Sequence, residues 1–229
     1  SSPQYGSMID KTTIKHLVNE EFDEVVSIRR HLHKYPELSK QEKDTSKFIC
    51  QQLDNIGVKY CNDIYGYGIY GFIDGKEPEK RCVAIRADMD ALPITEQTSL
   101  DFKSINNGVM HACGHDIHMS SLFGTIKILN KLKDSFTGRV MFIFQPSEEE
   151  YPGGAISMIK AGIFNKVKPS AIFAFHSTPE MECGTVGMKE GKLMASTDEI
   201  YITVKGKGGH GATPHLDIDP IVTACHIVT

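Results

Sequence analysis

The chain has no apolar run approaching the roughly twenty residues that a membrane-spanning helix needs, which excludes a helical integral membrane protein. It has no large charge excess either. A net charge of −4 over 229 residues argues against an electrostatic partnership with nucleic acid or an anionic membrane, and leaves a small molecule as the expected partner. Its six cysteines (Cys50, Cys61, Cys82, Cys113, Cys183, Cys225) lack the spacing of a disulfide framework. That pattern predicts a reducing, cytoplasmic compartment. The opening segment is polar, without the apolar core of a signal peptide, and Ser1 to Ser7 before Met8 reads as a scar of expression outside the fold. Internal repeats and low-complexity segments are also missing. What remains is a globular composition, 40% hydrophobic and 24% charged, long enough for one large domain and part of a second.

Against that background one segment stands out. Met110-His111-Ala112-Cys113-Gly114-His115-Asp116-Ile117-His118 gathers three histidines, a cysteine and an aspartate, and Glu148-Glu149-Glu150 follows some thirty residues later. Such groups are costly to bury unless a cation or a reaction compensates them. Cys113-x-His115 alone is a weak signal, compatible with a buried cysteine beside surface histidines. The neighbouring His111, Asp116 and His118 strengthen it, because zinc and manganese sites recruit imidazole, thiolate and carboxylate in this mixture.

The glutamate triplet would ordinarily be a solvated charge run, but here an apolar strand delivers it. If one of two adjacent carboxylates binds metal and the other does not, the free one can take a proton from water and return it to a leaving amine. His176 ends the apolar run Ala171 to Phe175, which reads as a buried strand. His210, within Gly208-Gly209-His210-Gly211, is equally compatible with a flexible loop. Asp88 and Asp90 flank Met89 after a strand, where either can orient a ligand histidine.

Periodicity sets these residues on elements. Ile14, Leu17, Val18, Phe22, Val25, Val26, Ile28 and Leu32 recur near 3.6 residues, predicting an amphipathic helix over 12–34 that Pro36 stops. Ser39-Lys40-Gln41-Glu42 matches a capping box opening a second helix that ends at Gly57. Strands are predicted over 65–73 and 81–87, joined as a hairpin through Asp74 to Pro78. A helix through Leu122 to Leu132, a strand over 139–144, a glycine-opened helix over 153–161 and a strand over 171–175 follow. The alternation predicts an α/β sheet covered by helices, with Asp88, Glu148 and His176 just beyond strand ends, where such sheets bind ligands. Composition shifts near Gly184 to Gly191, so a second domain is expected from there. Ile200, Ile202 and Val204 then alternate with polar residues, and Asp219-Pro220 caps a last helix.

Six ordered motifs carry a resemblance across nearly the whole chain. They are Arg29-Arg30-His31-Leu32-His33 with Pro36-Glu37-Leu38-Ser39; Arg86-Ala87-Asp88-Met89-Asp90-Ala91-Leu92-Pro93; Met110 to Asp116; Phe144-Gln145-Pro146-Ser147-Glu148-Glu149; Phe175-His176; and Gly206 to Pro214. The chain resembles the dinuclear metal amidohydrolases that include hippurate hydrolase, plant auxin-conjugate hydrolases, bacterial N-acyl amino acid hydrolases and N-acetyl-diaminopimelate deacetylase. The resemblance implies a zinc-peptidase-like α/β catalytic domain with a mixed central sheet flanked by helices, its N-terminal part over 8–186. It implies the beginning of an inserted α+β dimerisation, or lid, domain over 187–229.

It further implies two divalent ions, zinc or manganese, held by Cys113, His115, Glu149 and His176, with Cys113 bridging them. Glu148 would be the general acid/base and His210 the oxyanion stabiliser. The implied reaction is hydrolysis of the amide of an N-acyl amino acid by a homodimer. Family chains carry further sequence, including a last histidine ligand, so this chain reads as an N-terminal fragment. Ser147 and Glu150 depart from the alanine and glycine usual beside the paired glutamates. On the residues alone, a hydrolase with Cys113 as nucleophile stays an alternative, as does an inactive metal-binding fragment. A zinc deaminase lacks its second ligand segment, Pro-Cys-x-x-Cys.

Overall fold

The computed structural model describes residues 9–195, 198 and 200–229, so the segment from Ser1 to Met8 lies outside the described residues. The chain divides into two compact units, Ser1–Glu180 and Met181–Thr229.

In the first unit, helices α1 (Lys11–Lys34) and α2 (Lys43–Asn55) precede strands β1 (Tyr60–Ile64), β2 (Gly68–Asp74) and β3 (Cys82–Asp88). Helix α3 (His115–Lys131), strand β4 (Arg139–Gln145), helix α4 (Gly154–Lys160) and strand β5 (Ile172–Ala174) complete it. The strands form one mixed sheet in the order β1-β2-β4-β3-β5. β3 runs parallel to both β4 and β5, whereas β2 pairs antiparallel with β4 and with β1. This corrects the expected hairpin between β2 and β3. β4 enters between them, because the connection through α3 returns the chain parallel to β3, and its apolar run Val140 to Phe144 needs cover on both faces.

One face of the sheet packs Ile69, Ile73, Ala87, Phe142 and Phe144 against Ile28 and Leu32 of α1, Ile49 and Leu53 of α2, and Met119, Phe123 and Ile126 of α3. The opposite face packs Ala84, Met141 and Ile143 against Met158 of α4 and Ile163. Burying one such side chain contributes roughly 1.5–3 kcal/mol, so the three-helix face supplies most of the first unit's hydrophobic stabilisation.

Two further expectations are corrected, and α1, a helix as expected, buries its apolar stripe only in part. The apolar stripe of α1 is not buried along its length: Ile14, Val18 and Phe22 are exposed, and only its C-terminal half meets the sheet's helical layer. Ser39 does not open a capping box. The Glu37 carboxylate instead accepts from the N–H groups of Asp44 and Thr45 at 3.1 and 2.7 Å, and Ser39 turns to Asp90. β5 is an edge strand with Ile172, Phe173 and Phe175 more than half exposed, not a buried one.

In the second unit Lys207 and Ile218 form an antiparallel bridge, and α5 (Pro220–Val228) starts as expected, with the Asp219 carboxylate accepting from the N–H of Ile221 at 2.8 Å. Ile200, Ile202 and Val204 lie outside any strand among the described residues. No described helix is long and apolar enough to cross a membrane.

Candidate metal centre

The parallel strands β3, β4 and β5 end on the same side of the sheet, and each delivers chemistry there. β3 ends at Asp88, β4 leads through Pro146 and Ser147 to Glu148 and Glu149, and β5 leads to His176. The fourth contribution is the turn into α3. Gly114 is its N-cap with φ +81°, and a Cβ there would meet Ser177 Oγ at 2.1 Å, so glycine alone lets Cys113 and His115 flank a backbone this close to the β5 segment. Gly154 has an equivalent role: a Cβ would meet the Pro146 carbonyl at 1.9 Å, and its N–H closes the glutamate loop on the Ser147 carbonyl at 2.9 Å.

His115 is the centre of the constellation. It is 1% exposed, and its Nδ1 donates to the Asp90 carbonyl at 2.7 Å, leaving the Nε2 lone pair without a hydrogen-bond partner. Around that nitrogen stand carboxylate oxygens of Asp88 at 3.6 Å, Glu149 at 3.6 Å and Glu148 at 3.8 Å. A buried imidazole nitrogen facing three carboxylates favours a positive charge between them, a proton or a metal ion. His115, Glu148 and Glu149 each bring a potential ligand atom within 4.8 Å of one another, as do Cys113, His115 and His176. The donor set of imidazole, thiol and carboxylate fits a divalent transition ion.

The electrostatics run the same way. Burial pushes the Cys113 thiol up to about 12, assisted by the charges of Glu149 and Glu148, so without a cation it stays protonated. Burial and the Glu149 charge likewise raise the Glu148 carboxyl from its ordinary value, the direction that suits a group that must hold and release a proton. Burial lowers His115, but the Asp90 and Asp88 interactions outweigh it and leave its pKa raised.

Not every residue of the His-Cys-His motif faces this centre. His118 Nδ1 donates to Asp88 Oδ1 at 2.7 Å and its Nε2 accepts from the Ser177 N–H at 3.0 Å, so both nitrogens are committed to holding Asp88 and the β5 segment. Asp88 in turn accepts from Arg86 at 2.8 Å. Burial raises its carboxyl, but the bond from His118 and the Arg86 charge hold it well below the usual range. Asp116 points away, to His33 and Arg29. His111 is 4% exposed with both ring nitrogens unpartnered, and burial pushes it down to about 4, so it is a neutral core histidine.

His176 is exposed, its Nδ1 donates to the Ser177 carbonyl at 2.7 Å, and its Nε2 lies 3.4 Å from Cys113 Sγ. In the second unit His210 Nδ1 accepts from the Ala212 N–H at 3.1 Å, which makes Nε2 the donor nitrogen of its neutral ring. Sequence reasoning missed Glu42, which is fully buried and accepts from the Ser147 N–H at 2.6 Å. Its only signal was a glutamate opening a helix, which reads as a cap.

The sequence and the fold are similar to those of known proteins. An N-acyl-L-amino acid amidohydrolase from Geobacillus stearothermophilus is 43% identical over 219 residues, covering 96% of this chain and 58% of the relative. An N-acetylcysteine deacetylase from Bacillus subtilis is 46% identical over 206 residues, covering 90% and 53%. Among solved structures, a dinuclear metal-binding peptidase of the M20 family from Bacillus subtilis superposes with a TM-score of 0.68 at 43% identity, over 80% of this chain and 48% of that one. A crystal structure from methicillin-resistant Staphylococcus aureus gives a TM-score of 0.80 at 37% identity, over 96% and 58%. The chain thus spans about half the length of the curated relatives it matches. With residues 84–228 matching the family model, the chain belongs to peptidase family M20/M25/M40.

Proposed function

We propose that this chain carries the hydrolytic centre of a metal-dependent amidohydrolase acting on N-acyl amino acids. The observation that carries the reading is the buried, unpartnered Nε2 of His115 facing the carboxylates of Asp88, Glu148 and Glu149. Cys113, His115, Glu149 and His176 would hold two divalent ions, zinc or manganese. When bound, such ions supply Lewis acidity toward the amide carbonyl and lower the pKa of water.

The protein's own residues do the rest. Glu148, whose pKa is raised, takes a proton from the attacking water and hands it to the amine as the C–N bond breaks, leaving a free carboxylate and an amino acid. Asp90 holds Glu148 and Glu149 in place through their backbone N–H groups at 3.0 and 2.9 Å. His210, in the second unit, would be the oxyanion stabiliser of a centre in the homodimer. The substrate class is supported by the names of the relatives, an N-acyl-L-amino acid amidohydrolase and an N-acetylcysteine deacetylase. Residues 8–186 would be the N-terminal part of the catalytic domain and 187–229 the start of the domain through which a homodimer forms. Six free cysteines support a reducing, cytoplasmic compartment.

One observation favours a second reading, in which Cys113 is a nucleophile: its Sγ lies 3.4 Å from His176 Nε2. A thiol pushed up to about 12 is a poor nucleophile at neutral pH, and three carboxylates beside it oppose a thiolate.

The test is hydrolysis of N-acetyl, N-benzoyl and indole-acetyl amino acids with added Zn²⁺ or Mn²⁺, by the wild type and by Glu148→Gln, with metal binding followed by calorimetry. The expected result is an activity lower by about 10²–10⁴-fold in Glu148→Gln with metal binding retained. Hydrolysis that survives this substitution, or proceeds in the presence of a strong chelator, overturns the reading.

A further inference from the structure

The loop bearing the paired glutamates is held by something other than its own contacts. Three consecutive backbone N–H groups point into two buried carboxylates: Ser147 donates to Glu42 Oε1 at 2.6 Å, and Glu148 and Glu149 donate to the two oxygens of Asp90 at 3.0 and 2.9 Å. Ser147 has φ +54°, a left-handed conformation that costs free energy for any residue with a Cβ and persists where the surroundings impose it. The residues preceding α2 impose it here. Ser39 Oγ donates to Asp90 Oδ2 at 2.6 Å, the Lys40 N–H donates to Ser147 Oγ at 2.9 Å, and Ser147 Oγ lies 3.3 Å from Glu42 Oε1. Lys40 Nζ also pairs with Glu150. Ser147 and Glu150, on either side of the paired glutamates, are thus the two loop residues that Lys40 and Glu42 engage.

We infer that Glu42 is a positioning residue for the glutamate pair: by fixing the Ser147 N–H it sets, together with Asp90, the direction in which Glu148 and Glu149 project toward His115. The inference rests on the reading of Glu148 as the proton carrier. Glu42 is an expensive group to keep, since it is fully buried and its Oε2 has no partner. Burial pushes its carboxyl up to about 7 against the hydrogen bonds from Ser147 that pull it down. An apolar residue would serve the packing of α2 at less cost, so what the carboxylate provides is the acceptor for Ser147.

Glu42→Ala and Glu42→Gln separate this from a purely structural role. Glutamine keeps an acceptor at Oε1 and alanine removes it. In the metal-loaded protein, Glu42→Ala should lower kcat by about 10–100-fold with KM nearly unchanged, the scale of a small misplacement of a catalytic group. Glu42→Gln should recover most of it.

A second readout needs no activity. In the metal-free protein, amide hydrogen exchange over residues 145–152 should accelerate in Glu42→Ala and return toward wild type in Glu42→Gln, with α1 and α3 unchanged. Should Glu42→Ala not fold, Ser147→Ala removes one of the two links and should move kcat and exchange in the same direction by a smaller factor. Unchanged loop exchange, exchange accelerated throughout the first unit, or Glu42→Gln as damaged as Glu42→Ala overturns the inference. Activity retained in Glu148→Gln would instead sink the proton-carrier reading, and the exchange data would still decide whether Glu42 holds the loop.

Discussion

Two charged clusters meet at the start of α3, and neighbouring residues feed them. Asp116 belongs to the first. His33 donates from Nδ1 to Asp116 at 2.8 Å and pairs through Nε2 with Glu96 at 3.1 Å, Arg29 approaches Asp116 at 2.9 Å, and Glu96 also accepts from the Ser104 N–H at 2.7 Å. Two positive groups face two carboxylates. His115 belongs to the second, where carboxylates of Asp88, Glu148 and Glu149 converge on its Nε2. Burial and perturbed pKa values are common to both clusters, so neither property marks function. The number of partners does: in the first cluster Arg29 and His33 face Asp116 and Glu96, whereas in the second three carboxylates converge on the single ring of His115.

The sharpest way to break that comparison is to exchange the damage. His115→Ala should abolish the thermal stabilisation conferred by Zn²⁺ or Mn²⁺, which for a single ion at a hundred times its Kd is about 2.7 kcal/mol. The metal-free melting temperature should hardly fall. Asp116→Ala should do the reverse, leaving the half-buried Arg29 unpaired and the buried His33 with Glu96 alone, at a cost of about 3 kcal/mol in urea unfolding. Any metal-induced shift should remain. If both variants lose metal binding and stability alike, the two clusters are one network.

A smaller effect appears in the pH dependence of the closed cluster. The hydrogen bond to Asp116 raises the pKa of His33, against burial and with help from Glu96. A raised histidine stabilises fully below its unfolded value of about 6.5 and loses that contribution as pH rises through its folded value. Urea unfolding of wild type and His33→Gln should therefore differ most near pH 6, and the difference should shrink above it. A difference that grows with pH would contradict the pairing.

The smallest expected effect concerns Cys113. In the metal-free chain iodoacetamide should modify the exposed Cys61, Cys183 and Cys225 before Cys113, whose thiol is pushed up to about 12, and bound metal should slow Cys113 further. Preferential, activity-killing modification of Cys113 would favour the nucleophile reading instead.

Much of the fold was legible along the chain because periodicity is local. α1 ends before Pro36 and α3 carries the Leu122 to Ile126 stripe. α5 starts at Pro220 behind its Asp219 cap, within a residue or so of expectation. The structure also gathers residues that the sequence singled out: Cys113, His115 and His176 bring potential ligand atoms within 4.8 Å of one another, as do His115, Glu148 and Glu149. The hairpin that did not form shows where such reading stops. Which strand lies beside β2 depends on the non-local pairing of β4, and nothing within Asp74 to Pro78 encodes it.

The composition and the ordered His-Cys-His and Glu-Glu motifs by themselves determined the fold class and the family, and singled out the residue types of a candidate site. Only the tertiary structure decided which side chains share it. It separated His115 from Asp116, committed both nitrogens of His118 to other partners and left His111 in the core. It also brought Glu42 from 105 residues away to hold Ser147. The physical reason is that a residue's type sets what it can donate, accept or ligate. Whether a lone pair is already spent depends on neighbours that chain distance does not reveal.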